Sequence, residues 1–436
     1  MANFEGTAGA DIIPPVLTGA VVGIGNDTIS GLGGNDLIAG YSGNDVISGG
    51  TGADVIIGGI LNVVGGIGSI QLSGVDTADY STSASAVFVN LASTGALDID
   101  ILGINLGLTG VTTGRGGDAE GDSLVGMTSL TGSAFDDYLG GNVNENTLIG
   151  GAGNDNLAGN GGADVLNGGA GTQDMADYIS SNAGVTVSLV TGTGTGGHAA
   201  GDTLTGIEWL RGSAFNDALT GDGNANRLSG LAGTDTLDGG AGNDQLIGGA
   251  GQDTLTGGAG FDTALYDNAS AGVTASLLNP AANNGDAAGD SYSSIENLVG
   301  SAFNDVLTGD NGSNYLQGWR GDDTLNGRGG ADILHGGAGA DTFVFSSIAD
   351  ASARAPDVIR DFSQSQGDTI DVSGITGGNG SFIGTDAFSG VAGEVRINVG
   401  VTQTAVYIDA NGDGTADAQV RLTGGAVTLT ADDFVL

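Results

Sequence analysis

Apolar residues recur at every ninth position along much of the chain. Ile29, Ile38, Ile47 and Ile56 form one series, and Leu139, Leu148, Leu157 and Leu166 form another. Each has a flanking residue on either side that is free to face outward, so the triplet reads as a short strand with a single inward side chain. A glycine-rich stretch precedes each triplet, as in the cleanest copy, Gly239-Gly-Ala-Gly-Asn-Asp-Gln-Leu-Ile247. Clustered glycines supply the φ > 0 positions of a tight turn. One nonapeptide is therefore a turn plus a strand, and two make an 18-residue coil. Stacked coils predict an all-β fold: a parallel β-roll or β-helix solenoid with Ile/Leu columns inside and turns along both edges.

Aspartate keeps the same period. The runs are Asp27, Asp36, Asp45 and Asp54; Asp137, Asn146, Asp155 and Asp164; Asp217, Asn226, Asp235, Asp244, Asp253 and Asp262; and Asp305, Asn314, Asp323, Asp332 and Asp341. On one edge of a roll, neighbouring turns come from residues 18 apart, and parallel strands stack about 4.8 Å apart. Carboxylates in such a row repel one another unless a cation lies between them. The Asp–Asp pairs at this spacing are 27/45, 36/54, 137/155, 217/235, 235/253, 244/262, 305/323 and 323/341. Three further pairs begin with asparagine: 146/164, 226/244 and 314/332. An all-oxygen donor set of carboxylates and glycine carbonyls suits Ca²⁺ better than octahedral Mg²⁺ or Zn²⁺. The expectation is roughly eight to eleven bound Ca²⁺, one for each pair.

Composition agrees. Of 436 residues, 88 are Gly and none is Cys, and 51 acids stand against 9 bases for a net charge of −42. All nine bases are Arg, and only six acids are Glu. So much Gly with so little Lys and Glu argues against helices. Without Cys there are no disulfides, thiolate metal sites or Cys nucleophiles. The charge opposes binding to nucleic acid or an anionic membrane. The uncharged stretch 55–72 is broken by glycines and reads as short strands, not a span. The first residues, Met-Ala-Asn-Phe-Glu-Gly, lack the features of a signal peptide.

A longer repeat overlies the short one. Gly132-Ser-Ala-Phe135, Gly212-Ser-Ala-Phe215 and Gly300-Ser-Ala-Phe303 are spaced by 80 and 88 residues, and Gly121-Asp, Gly201-Asp and Gly289-Asp precede them. The organisation reads as roll 1–60, insert 61–131, roll 132–175, insert 176–211, roll 212–263, insert 264–299, roll 300–341 and a C-terminal β domain 342–436. In the first insert, Leu97–Leu108 alternates on both sides of Leu102-Gly103 and reads as a β-hairpin. Glu208 and Glu296 fall in the aspartate slot of coils that end inserts, and read as solvated charges rather than ligands.

The run of Gly-Gly-x-Gly-x-Asp units resembles the RTX, or haemolysin-type calcium-binding repeat, family over most of the chain. Phe343-Val-Phe345, Asp357-Val-Ile-Arg-Asp-Phe362, Gly367-Asp-Thr-Ile-Asp-Val372 and the tail Asp432-Asp-Phe-Val-Leu436 are similar to the C-terminal secretion domain of serralysin-type proteins. The resemblance implies Ca²⁺ binding and export to the outside by the type I secretion machinery, with an uncleaved C-terminal signal. Asp409-Ala-Asn-Gly-Asp-Gly414 matches the start of an EF-hand loop, but Val420 stands where the loop's Glu belongs, so a hairpin turn is expected.

No enzyme is expected. His198 and His335 sit in repeat slots, no His-Glu-x-x-His is present, and the Asp pairs are accounted for by the repeat. Trp209 and Trp319 read as local gap fillers. Two roles remain: a self-assembling surface-layer or matrix protein, or an adhesin that binds cell-surface polysaccharide. A non-catalytic part of a polysaccharide-modifying enzyme is a more remote third.

Overall fold

A computed structural model describes residues 3–5, 12–13, 25–64, 67–71, 74–92, 95–101 and 104–436. The described chain is strand and turn, with short 3₁₀ turns and a single four-residue α-helix, Ser373–Thr376. It groups into two compact units, Met1–Leu219 and Thr220–Leu436.

In the first unit the nine-residue period becomes two sets of parallel strands visited in alternation. One set stacks Thr28–Ser30, Val46–Ser48, Thr77–Asp79, Ser129–Thr131, Thr147–Ala152, Val165–Ala170 and Thr203–Thr205. The other begins with Leu37–Ala39, Val55–Ile57 and Ser123–Val125. Phe88–Asn90, Tyr138–Gly140, Asn156–Ala158, Met175–Asp177 and Trp209–Arg211 stack in parallel as a separate sheet. Within a nonapeptide run the register shift is 18 residues, as in Ile29 against Ile47 and Leu148 against Leu166. The middle residue of each triplet is buried: Ile29, Ile47, Leu130, Leu148 and Leu166 are at most 2 % exposed.

Inserts leave this register and rejoin it. The first contains the antiparallel hairpin Gly95–Ile101 with Ile104–Thr113, whose turn at 102–103 lies outside the described residues. The stretch 55–72 contributes Val55–Ile57 and an antiparallel pair, Ile60–Val64 with Ile67–Gln71. Each insert opens on an inward alanine (Ala78, Ala176, Ala264), and two residues on a tyrosine (Tyr80, Tyr178, Tyr266) is almost fully buried.

The second unit repeats the plan. Arg227–Gly233, Gln245–Gly251, Thr263–Leu265, Asn297–Val299, Tyr315–Arg320 and Ile333–Ala338 stack in parallel. The other set includes Thr236–Ala241, Thr254–Ala259 and Ser291–Ser293, and separately Val306–Thr308, Thr324–Asn326 and Thr342–Val344. The nine-residue spacing ends near Thr342, yet the stacking does not. Asp357–Ile359 and Ala418–Leu422 extend one set, while Thr369–Asp371 and Phe434–Val435 extend the other. The C-terminal segment thus prolongs both sheets with longer connections, and an antiparallel meander of Glu394–Val399, Thr404–Asp409 and Ala418–Leu422 is added to one of them. Among the described residues no helix is long and apolar enough to cross a membrane.

Because each coil contributes one inward side chain per strand, a core truncation has few neighbours able to close over it. Leu255→Ala should destabilise the folded protein by about 2–5 kcal/mol. Thr254→Ser, on the exposed neighbour of the same strand, should change stability by less than about 0.5 kcal/mol. Thermal denaturation monitored by circular dichroism checks both.

Candidate metal centre

All nineteen aspartates and asparagines in the repeat slots are buried, none more than 5 % exposed. The turn brings them there for a specific reason. At ten of them the backbone N–H donates to Oδ1 of the slot residue one coil further on. Asp27 donates to Asp45, Asp36 to Asp54, Asp137 to Asp155, Asn146 to Asp164 and Asn226 to Asp244. Asp235 donates to Asp253, Asp244 to Asp262, Asp305 to Asp323, Asn314 to Asp332 and Asp323 to Asp341. All ten bonds are 2.7–3.0 Å long. One carboxylate oxygen is therefore structural, tying coil to coil.

The other oxygen is not satisfied. Oδ2 of Asp45, Asp54, Asp155, Asp164, Asp244, Asp253, Asp262, Asp323, Asp332 and Asp341 is buried with no hydrogen-bond partner. Burying such an atom is costly unless something pairs with it. Its surroundings are oxygen-rich. A Cβ added to Gly150 would overlap both Asp155 Oδ2 and the Gly168 carbonyl of the next coil, and one added to Gly318 would overlap Asp323 Oδ2 and the Gly336 carbonyl. At these positions the glycine five residues before the aspartate is thus required to make room for carboxylate and carbonyl together. Unpartnered carboxylate oxygens beside backbone carbonyls form the donor set of a hard cation such as Ca²⁺. Among the described residues no three acidic or histidine side chains converge, so any such site relies on carbonyls as well as Asp pairs.

Electrostatics point the same way. Burial pushes the carboxyls of Asp155, Asp164, Asp323 and Asp332 up to about 7, and those of Asp54 and Asp341 to about 6. The backbone N–H bonds act in the opposite sense without prevailing. Neighbouring aspartates add to the rise.

The asparagines behave differently. Asn146 Oδ1 accepts from the Asn142 N–H at 2.7 Å, and its Nδ2 donates to the Thr128 carbonyl at 2.9 Å. Asn314 does the same with the Asp310 N–H and the Glu296 carbonyl. The side-chain amide here donates to the backbone of the coil that closes the insert, which an ionised aspartate has no proton to do.

Several slot residues outside the nine-residue spacing come into view. The N–H groups of Asp45, Asp54, Asp155, Asp164 and Asp253 donate to Oδ1 of Asp76, Asp122, Asp174, Asp202 and Asp290, across 19 to 68 residues of sequence. Asp332 and Asp341 likewise donate to Asp357 and Asp368 in the C-terminal segment. The recurrent Gly-Asp dipeptides at 121, 201 and 289 were the available signal for three of these. Glu208 and Glu296 are not simply solvated: their carboxylates accept the N–H of Asp174 at 3.1 Å and of Asp262 at 2.9 Å. They occupy the aspartate slot with one more methylene of reach.

The recurrent Gly-Ser-Ala-Phe also has a task. Ser133, Ser213 and Ser301 donate backbone N–H and hydroxyl to Asp137, Asp217 and Asp305, capping the first aspartate after each insert. The phenylalanines Phe135, Phe215 and Phe303 are each 45 % exposed.

Other features resolve as turns. Asp409 is buried, and its oxygens accept N–H groups from Gly412, Asp413 and Gly414, which is a hairpin turn between the strands ending at Asp409 and starting at Ala418. Trp319 is not a gap filler. It takes the second glycine slot of its turn at φ +81°, stands 40 % exposed, and has the Arg320 guanidinium 5.7 Å from its ring centroid. His198 and His335 lie in repeat slots, with Ser180 and Asp361 as their respective neighbours.

Comparison with known proteins agrees with this geometry. The family model for the RTX calcium-binding nonapeptide repeat (4 copies) matches residues 21–59, 140–172, 202–237 and 229–264, and that for the peptidase M10 serralysin C terminal matches 282–436. Metallopeptidase AprA of Pseudomonas marginalis is 50 % identical over 135 residues, which is 30 % of this chain and 28 % of that protein. Metalloprotease AprA of Pseudomonas entomophila is 48 % identical over 137 residues, again 30 % and 28 %. Serralysin A of Dickeya chrysanthemi is 42 % identical over 97 residues, 22 % and 20 %. The chain thus spans less than a third of the length of these relatives. The R3 subunit of the Azotobacter vinelandii mannuronan C5-epimerase AlgE6 is 33 % identical with a TM-score of 0.22, covering 30 % of this chain and 78 % of that one. The chain thus carries calcium-binding RTX nonapeptide repeats and a peptidase M10 serralysin C-terminal domain, and it is a secreted protein.

Proposed function

We propose that this protein is an extracellular structural subunit that folds around Ca²⁺ and self-assembles as a surface layer or matrix. The observation that carries the reading is the column of buried Asp Oδ2 atoms without partners on stacked coils. Asp27, Asp36, Asp45, Asp54 and their equivalents would hold the ions, each pairing with the slot residue 18 positions on and with turn carbonyls. The bound ion supplies positive charge that makes carboxylate stacking favourable. The chain's own residues keep Oδ1 on the neighbouring N–H and aim Oδ2 inward. Because Asn146 and Asn314 spend both polar atoms on backbone, the Asp–Asp pairs set the ion number, about eight. Their charge would offset roughly 16 of the 42 net negative charges.

Binding energy then becomes folding energy. In a low-Ca²⁺ cytosol the uncompensated carboxylates keep the chain loose, as passage through a secretion channel requires. Outside, sites of Kd about 10⁻⁴–10⁻³ M fill at ambient Ca²⁺. Self-assembly draws support from Phe135, Phe215 and Phe303, each half-exposed at the same place in three long repeats. A second reading, an adhesin for cell-surface polysaccharide, draws on Trp319, whose exposed ring in a turn is suited to stacking on a sugar.

Ca²⁺-stripped protein at neutral pH should lack β structure by circular dichroism and gain it on Ca²⁺ addition; a stripped form that is already fully folded would contradict the reading. The stripped chain should also depend on pH in a defined sense. Its slot carboxyls have folded-state pKa values raised above the ordinary 3.8, to about 6 or 7, so the folded chain binds more protons than the unfolded one. That stabilisation is full below about pH 4 and is lost as the pH rises through about 7. Without Ca²⁺, the chain should therefore show more β structure by circular dichroism at pH 5 than at pH 7.5, and saturating Ca²⁺ should remove or reverse the difference. Electron microscopy of Ca²⁺-loaded protein should show ordered sheets or filaments. Dispersed particles that bind polysaccharide would favour the adhesin.

A further inference from the structure

The nine-residue spacing ends at Asp164 before the second insert, but the carboxylate column does not end there on both edges. Asp174 lies 19 residues after Asp155, because the turn Gly168-Gly-Ala-Gly-Thr-Gln-Asp174 is one residue longer than Gly257-Gly-Ala-Gly-Phe-Asp262. The extra residue is absorbed in the turn. The Asp155 N–H still donates to Asp174 Oδ1, at 2.7 Å, and the Met175 N–H still reaches the Asp155 carbonyl, also at 2.7 Å. Both aspartates are at most 1 % exposed, and Oδ2 of each is buried without a partner. A Cβ at Gly171 would come within 2.6 Å of Asp174 Oδ2, and one at Gly168 would also overlap this side chain. The pair shares the inter-coil N–H bond, the burial and the unpartnered Oδ2 of the in-register pairs.

The opposite edge is built otherwise. The Asp164 N–H donates to Asp202 Oδ1 at 2.8 Å, but Asp202 Oδ2 accepts the hydroxyl of buried Tyr178 at 3.1 Å. Tyr80 does the same for Asp122 at 3.1 Å, and Tyr266 for Asp290 at 2.8 Å. The oxygen that is unpartnered elsewhere is occupied at all three inserts by a phenol. A neutral O–H satisfies the buried carboxylate without adding charge.

We infer that Asp155 and Asp174 form a further site for a hard divalent cation, outside the nine-residue motif, whereas at Asp122, Asp202 and Asp290 a tyrosine hydroxyl takes the cation's place. The second insert thereby interrupts the ion column on one edge only. The inference rests on the reading that in-register turns bind Ca²⁺.

Native mass spectrometry of full-length protein titrated with Ca²⁺ counts the ions in wild type, Asp174→Asn, Asp202→Asn and a chain lacking Gln173. Asparagine keeps an Oδ1 acceptor for the inter-coil N–H, so both substitutions preserve that bond. Asp174→Asn should bind one ion fewer, while Asp202→Asn should keep the wild-type count. Deleting Gln173 restores the motif spacing and should also keep it, which tests the site in a chain with all its carboxylates. Asp174→Asn at the wild-type count, Asp202→Asn one ion short, or loss of an ion on deleting Gln173 would each overturn the inference. A wild type that binds no Ca²⁺ would instead overturn the functional reading beneath it.

Discussion

One contact repeats from coil to coil: a backbone N–H of one turn donating to a single oxygen of the aspartate in the next. It fixes the spacing of the turns and draws each carboxylate out of water, leaving its second oxygen among carbonyls. A buried anion costs several kcal/mol unless it is compensated. Neighbouring carboxylates on the same edge raise that cost, as the upward pKa shifts show. The fold therefore contains a built-in demand for positive charge, and a proton or a cation can meet it. At neutral pH the proton is scarce, so stability passes to the cation.

The same contact explains the composition. A short carboxylate reaches the N–H one coil away, and a glycine five residues earlier leaves room for its other oxygen. Glutamate appears in the slot only where an insert changes the approach, at Glu208 and Glu296. Serine appears where a run begins and supplies N–H and O–H to the first aspartate. Tyrosine appears where an insert opens. Each substitution is a different way of satisfying the same carboxylate.

Much of this was legible in the sequence. The Ile/Leu columns, the turns and the nineteen slot residues follow from the nine-residue period, and the hairpin at 95–113 follows from alternation on both sides of Leu102-Gly103. What spacing did not reveal are contacts that jump the period. Asp122 meets Asp54 across 68 residues, and the insert lengths hide that neighbourhood. The sharing of labour between two carboxylate oxygens was hidden too, since a one-letter code treats them as equivalent. The continuation of both sheets past Thr342 was masked by longer connections, although Asp357-Val-Ile and Asp368-Thr-Ile keep the Asp-x-apolar core of the motif.

Diffraction from Ca²⁺-loaded crystals, with anomalous signal to place the ions, tests the central claim most directly. The account predicts ions beside Oδ2 of in-register aspartates such as Asp244 and Asp262, with Oδ1 of Asp262 still on the Asp244 N–H. Ions held only by surface carboxylates, with the buried Oδ2 atoms unvisited, would contradict it.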